Sequence, residues 1–126
     1  MSPRLLLVED DEDIRAVARL SLQRIGGWDV VEATCGEAAL DTLATDKHFA
    51  AIVMDVMMPG FDGPATLRRL QAQGLLCDIP VVFLTAKAGR AERERLRSLG
   101  AAGVIAKPFN PVALPGQLRD ILDPQR

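Results

Sequence analysis

Three short apolar runs in this 126-residue chain each end in a residue that could take part in phosphoryl chemistry. Asp55 follows Ala50-Ala51-Ile52-Val53-Met54 and precedes Val56-Met57-Met58-Pro59-Gly60-Phe61-Asp62-Gly63. The run reads as a buried strand, and the Pro-Gly and Asp-Gly pairs read as loop. Leu5-Leu6-Leu7-Val8 runs into Glu9-Asp10-Asp11, and Val104-Ile105-Ala106 runs into Lys107-Pro108-Phe109. Acids and a lysine gathered at one edge of one sheet would make a site for a divalent cation and a phosphoryl group.

Each residue has a plain structural role to set beside the chemical one. An acid after the first strand can cap a helix. Three in a row repel one another unless a cation is near, and carboxylate oxygens suit a hard ion such as Mg²⁺. Asp55 is a strand-end cap, a metal ligand, or a nucleophile that attacks phosphorus to form an aspartyl phosphate. Thr85, after Val81-Val82-Phe83-Leu84, is either an ordinary strand residue or a hydroxyl donor to a phosphoryl oxygen. Lys107 would offset the negative charge of the acids and of a bound phosphoryl group. The proline after it favours extended backbone at Lys107. The Met57 thioether is a poor Mg²⁺ ligand, but its backbone carbonyl could serve.

The elements that must position these groups alternate. Strands are expected at Arg4–Val8, Trp28–Ala33, Ala50–Met54, Ile79–Leu84 and Gly103–Ala106. Helices are expected at Asp13–Ile25, Glu37–Thr45 (opened by Thr34 or Gly36), Pro64–Gln73 (begun by Gly63), Arg90–Leu99 and Leu114–Leu122. Strands separated by helices of ~10–15 residues imply a mostly parallel sheet covered on both faces. The fold class is therefore α/β, an open doubly wound sheet of five strands with five helices. Functional groups in such sheets collect at the carboxyl ends of the strands. Glu9-Asp10-Asp11, Asp55, Thr85 and Lys107 all fall there.

The length allows one domain, 1–126. A 48% apolar content supplies a real core. The net charge of −2 does not call for nucleic acid, which is usually met by a basic excess. Cys35 and Cys77 stand far apart and read as free thiols rather than a metal or redox pair. His48 reads as a loop residue. No stretch is long enough to span a bilayer, and no secretory signal opens the chain. A cytoplasmic protein without membrane insertion is expected. The tail Asp123-Pro124-Gln125-Arg126 reads as a free end or the start of a linker.

Taken together, these residues resemble the receiver domain of two-component response regulators, the CheY-like fold. The resemblance covers essentially the whole chain. It rests on Leu-Leu-Val-Glu9-Asp10-Asp11, on Met54-Asp55 through Gly63, on Leu84-Thr85-Ala86 and on Lys107-Pro108-Phe109. It implies the strand order 2-1-3-4-5, which comes from the family and not from the pattern. It implies that Asp55 accepts a phosphoryl group from a histidine kinase or histidine phosphotransfer protein. Asp10 and Asp55 would bind Mg²⁺ directly, Glu9 through water, and Met57 through its carbonyl. Asp11, one position past the acidic pair, takes a structural role. Thr85 and Lys107 would bind the phosphoryl oxygens, with Thr85 shifting inward on phosphorylation. Met57 and Lys87 flank the expected phosphoryl site and would tune hydrolysis.

One position departs from the pattern. Many receivers carry Tyr or Phe three residues before the lysine, where this chain has Val104. Switching is then expected to run through loop and helix rearrangement after Thr85. The expected output surface is the charged fourth helix with the fifth strand and fifth helix, facing a downstream protein. The chain is expected to act on no external substrate. Two other readings compete. A phosphorylation-independent interaction module would need no intact acceptor, acid or lysine, and all are present. An aspartyl-nucleophile phosphohydrolase usually has a second acid two residues after the first, where Met57 stands. The chain reads as a stand-alone receiver or as a domain cut from a longer protein.

Overall fold

A computed structural model describes residues 2–123. The tail expectation at residues 124–126 lies outside them. The elements run β1 (Arg4–Val8), α1 (Glu12–Leu20), β2 (Asp29–Ala33), α2 (Gly36–Thr45), β3 (Ala51–Asp55), α3 (Gly63–Ala72), β4 (Val81–Thr85), α4 (Arg90–Ser98), β5 (Gly103–Ala106) and α5 (Leu114–Leu122). All strand pairings are parallel, in the order β2-β1-β3-β4-β5.

Side chains alternate across a strand, so each central strand feeds two cores. Leu6, Ile52, Met54, Val81 and Phe83 pack on one face with Leu43 of α2, Leu67 and Leu70 of α3, and Leu96 of α4. Leu5, Leu7, Val53, Val82 and Leu84 pack on the other with Ala18 of α1 and with Leu114 and Leu118 of α5. Burial on both faces is why these strands read as unbroken apolar runs. Each fully buried Leu contributes roughly 1.5–3 kcal/mol relative to exposure, so the central strands cannot slip register without large loss.

Several boundaries differ from the sequence reading. β3 begins at Ala51 and includes Asp55, which pairs with Leu84, and β4 spans Val81–Thr85, with Thr85 paired to Ala106. Both chemical residues are thus the last residues of their strands. Pairing, which periodicity does not encode, carries the ladder one residue further. β2 starts at Asp29, past Trp28. The first helix does not run as one α-helix to Ile25. It widens at Ser21–Ile25 into a π-helical turn, where the Gly26 amide reaches the Ser21 carbonyl at 3.2 Å. The Ser21 hydroxyl donates to the Pro111 carbonyl, a tertiary bond that local spacing cannot signal.

Of Thr34 and Gly36, it is Gly36 that opens α2 as its first residue, and neither is the cap. Cys35 takes that place, its Sγ accepting from the Ala38 amide at 3.4 Å. α3 starts at Gly63, the residue expected to begin it, behind an Asp62 cap, and ends at Ala72 rather than Gln73; α4 ends at Ser98. β1, β5 and α5 have the expected bounds.

Gly63 matters for the site. A Cβ there would lie 2.5 Å from the Asp55 carbonyl oxygen and 2.8 Å from the Phe83 ring. The first neighbour is the backbone of the strand end that carries Asp55, and the second is a fully buried core ring. Gly63→Ala is expected to destabilise the fold by about 1–3 kcal/mol through overpacking. Urea denaturation measures this, and an unchanged midpoint would contradict the close approach.

Candidate functional site

Parallel strands bring their carboxyl ends to one edge. There the Glu9 amide donates to Ala33 at 3.1 Å and the Lys107 amide to Thr85 at 2.8 Å, continuing the sheet pattern past its last paired residues. The Lys107–Pro108 bond is cis. The Lys107 ammonium stands between two carboxylates, donating to Glu9 Oε1 and to Asp55 Oδ2, each at 3.1 Å. Those side chains are 1% and 6% exposed, that of Lys107 16%. Water therefore screens these contacts little, and the lysine ammonium is the counter-charge that the two buried acids share.

Asp10 is exposed, yet one carboxylate oxygen each from Glu9, Asp10 and Asp55 lie within 4.8 Å of one another. Three hard oxygen donors so close fit a divalent cation such as Mg²⁺. Asp11 takes the structural role, its side chain capping α1 by accepting from Ile14 at 3.0 Å, and its own amide donating to Glu9 Oε2 at 3.2 Å. The Met57 side chain is exposed, and its amide donates to Asp55 Oδ1 at 3.4 Å. Thr85 is buried, its Oγ1 accepting from the Lys87 amide at 3.0 Å. A cavity of about 380 Å³ beside the site is lined by Met57, Thr85 and Lys87.

Other expectations outside the centre also have their places. His48 is exposed beside Asp46. Cys35 and Cys77 are both free thiols. Among the described residues no helix is long and apolar enough to cross a membrane. Val104 is buried in the core on the α2–α4 face. Arg93 donates to the Ala88 carbonyl at 2.7 Å and the Val104 carbonyl at 3.0 Å, tying the loop after β4 to β5.

The sequence reading missed Arg15. Its Nη1 donates to the Glu9 carbonyl at 3.0 Å while Nε pairs with Glu32 of β2 at 3.3 Å. That holds the acidic loop from below. An arginine between apolar helix positions carries no local sign of such a tie.

With this arrangement in view, the comparisons with known proteins are decisive. The response regulator receiver domain model matches residues 5–119. The chain belongs to that family. It is 31% identical to a chemotaxis protein CheY homolog of Campylobacter jejuni, covering 94% of this chain and 92% of that protein. It is 35% identical to the alkaline phosphatase synthesis transcriptional regulatory protein PhoP of Bacillus subtilis, over 97% of this chain but 49% of PhoP. This receiver thus spans about half of that relative. The CheY4 chemotaxis response regulator of Vibrio cholerae superposes with a TM-score of 0.87 at 28% identity, covering 96% of this chain and 99% of that one. The receiver assignment places the chain in two-component signalling.

Burial pushes the Glu9 carboxyl of this receiver from its ordinary 4.5 up to about 7. The Asp55 charge adds to the rise, while the Asp11 amide and Lys107 oppose it. Burial alone would lower the Lys107 pKa, but its bonds to Asp55 and Glu9 outweigh that and raise it.

The sign for stability follows from proton counting. Between pH 4.5 and about 7 the native metal-free chain holds a proton on Glu9 that the unfolded chain has released. This contribution is full below 4.5 and is lost as pH rises through 7. The expected loss is on the order of 3 kcal/mol. Urea titrations in chelator at the two ends of this window measure it. Glu9→Gln should flatten the slope, and an equal slope in that variant would remove Glu9 as its source.

Proposed function

We propose that this receiver is a phosphorylation-dependent switch in a phosphorelay, taking a phosphoryl group on Asp55 with Mg²⁺ bound. The observation that carries the reading is the buried triangle of Asp55, Glu9 and the Lys107 ammonium, with both contacts at 3.1 Å. A buried carboxylate whose counter-charge is a lysine, beside an exposed second acid, is more than a strand cap requires.

In the transfer, an Asp55 carboxylate oxygen bonds to phosphorus. The phosphorus–nitrogen bond to the donor's histidine breaks, and its electron pair stays on the imidazole. Asp10 and Asp55 would hold Mg²⁺ directly, Glu9 through water, and Met57 through its carbonyl. The ion would supply charge neutralisation at the phosphoryl oxygens. Lys107 exchanges part of its hold on Asp55 for a phosphoryl oxygen. The Thr85 hydroxyl, whose contact with the Lys87 carbonyl is a long 3.5 Å, has a better acceptor once a phosphoryl oxygen arrives. Its turn inward would pull the loop after β4. Arg93 links that loop to β5 and α4, a path for the change that needs no aromatic ring at Val104.

The protein partners follow the same logic. An apolar cleft of about 250 Å³, lined by Ile14, Val17, Lys107, Pro108 and Phe109, opens beside the centre and suits a histidine-bearing helix of a kinase or phosphotransfer protein. The downstream protein would read the α4–β5–α5 face. The chain acts on no external substrate in this reading, and its place of action is the cytoplasm.

Incubation with Mg²⁺ and a small phosphodonor tests the proposal. The expected result is one acid-stable, base-labile phosphoryl group per chain, absent from Asp55→Asn and strongly reduced without Mg²⁺. An equal label in the variant, or none in wild type, would overturn it.

A further inference from the structure

The fourth helix is thinly attached to the body of the protein. Among its described residues only Leu96, in the C-terminal half, is buried, whereas α3 buries Pro64, Thr66, Leu67 and Leu70. Its first turn also lacks a side-chain cap. Asp11, Cys35 and Asp62 cap α1, α2 and α3, but α4 starts behind Gly89, which has no side chain to offer.

The N-terminal half of α4 is held instead by Arg93. Its Nε donates to the Ala88 carbonyl at 2.7 Å and its Nη1 to the Val104 carbonyl at 3.0 Å, so loop, helix and strand meet on one guanidinium. The side chain reaches back towards the end of α4 where the helix dipole disfavours a cation. Two carbonyl oxygens offset that cost, and one alone offsets less of it. The Ala88 carbonyl belongs to the loop that starts at Thr85. Lys87, the residue before it, donates its amide to Thr85 Oγ1 at 3.0 Å. Ala86, Lys87 and Gly89 are exposed.

We propose, on the phosphoryl-transfer reading above, that Arg93 is a latch that holds the first turn of α4 against β5 and opens at the Ala88 carbonyl when Asp55 carries a phosphoryl group. Turning Thr85 towards a phosphoryl oxygen takes the acceptor from the Lys87 amide. The loop follows, and the Ala88 carbonyl leaves Nε. The first turn of α4, uncapped and without a buried side chain, then loosens while Leu96 stays anchored. The surface that changes is the exposed one at Arg90, Ala91 and Glu94. Opening the latch costs free energy that the phosphoryl group must supply, so a chain without the latch binds that group more tightly.

The test is a titration of the chain at saturating Mg²⁺ with beryllofluoride, a tetrahedral stand-in for a carboxylate-bound phosphoryl group. Amide NMR reads the affinity, and hydrogen exchange reads the start of α4. Arg93→Met keeps the apolar stem and removes both bonds. It should bind beryllofluoride about fivefold more tightly than wild type, the scale of one net hydrogen bond. The backbone amide at position 93, bonded to the Gly89 carbonyl at 3.0 Å, should exchange faster in this variant before beryllofluoride is added and change little afterwards. In wild type it should speed up on binding. Arg90→Met, which removes an exposed pair with Glu94 on the same turn, should match wild type in both readouts. An equal change in Arg90→Met would trace the effect to charge alone and overturn the latch. So would an Arg93→Met affinity equal to or weaker than wild type, the result expected of a merely structural tie. Both leave phosphoryl transfer intact. A wild-type chain that takes no beryllofluoride with Mg²⁺ overturns the latch and that reading together.

Discussion

One ammonium group organises this molecule's working edge. Lys107 reaches two carboxylates that are almost wholly withdrawn from water. Without it, Glu9 and Asp55 would face each other with no positive side chain between them, and burial would force at least one to stay protonated. Even with the lysine in place, burial keeps Glu9 titrating near neutrality. The edge is therefore held by a balance between desolvation and ion pairing.

The parallel sheet makes the balance buildable. The lysine is 52 residues from Asp55 and 98 from Glu9 along the chain. It meets them because every strand points the same way, so each crossover returns the chain to the same starting edge. The two cores fix strand register, and register fixes which residue stands at the rim. Gly63, where any side chain would collide with the Asp55 carbonyl, is the same constraint seen from the loop. The site's precision is thus borrowed from packing on both sides of the sheet.

Around this centre, ties of a different kind connect the loops. Arg15 anchors the acidic loop to β2 through Glu32, Arg93 ties the loop after β4 to β5, and Arg95 with Glu92 walls the cavity. These are partly exposed guanidinium contacts, individually weak and screened by salt. Such contacts exchange partners at small cost. The buried lysine pair holds the site, while the arginines link it to the surface of α4 and β5.

The alternation of strand and helix, the apolar runs and the acids, threonine and lysine that end them were all legible in the chain. These are local properties: side-chain burial and turn chemistry leave a mark within a few residues. That one acid of Glu9-Asp10-Asp11 would cap a helix was legible for the same reason, while its assignment to Asp11 came with the family resemblance. Cys35 as a cap, the π-turn at Ser21–Ile25 and the ties made by Arg15 and Arg93 were not. Each depends on an atom supplied by the backbone geometry or by a distant element. The sequence by itself determined which groups could do chemistry and that strand ends would carry them. Only the tertiary structure decided that one ammonium lies 3.1 Å from both buried acids, because that distance is set by strand register and packing across nearly the whole chain.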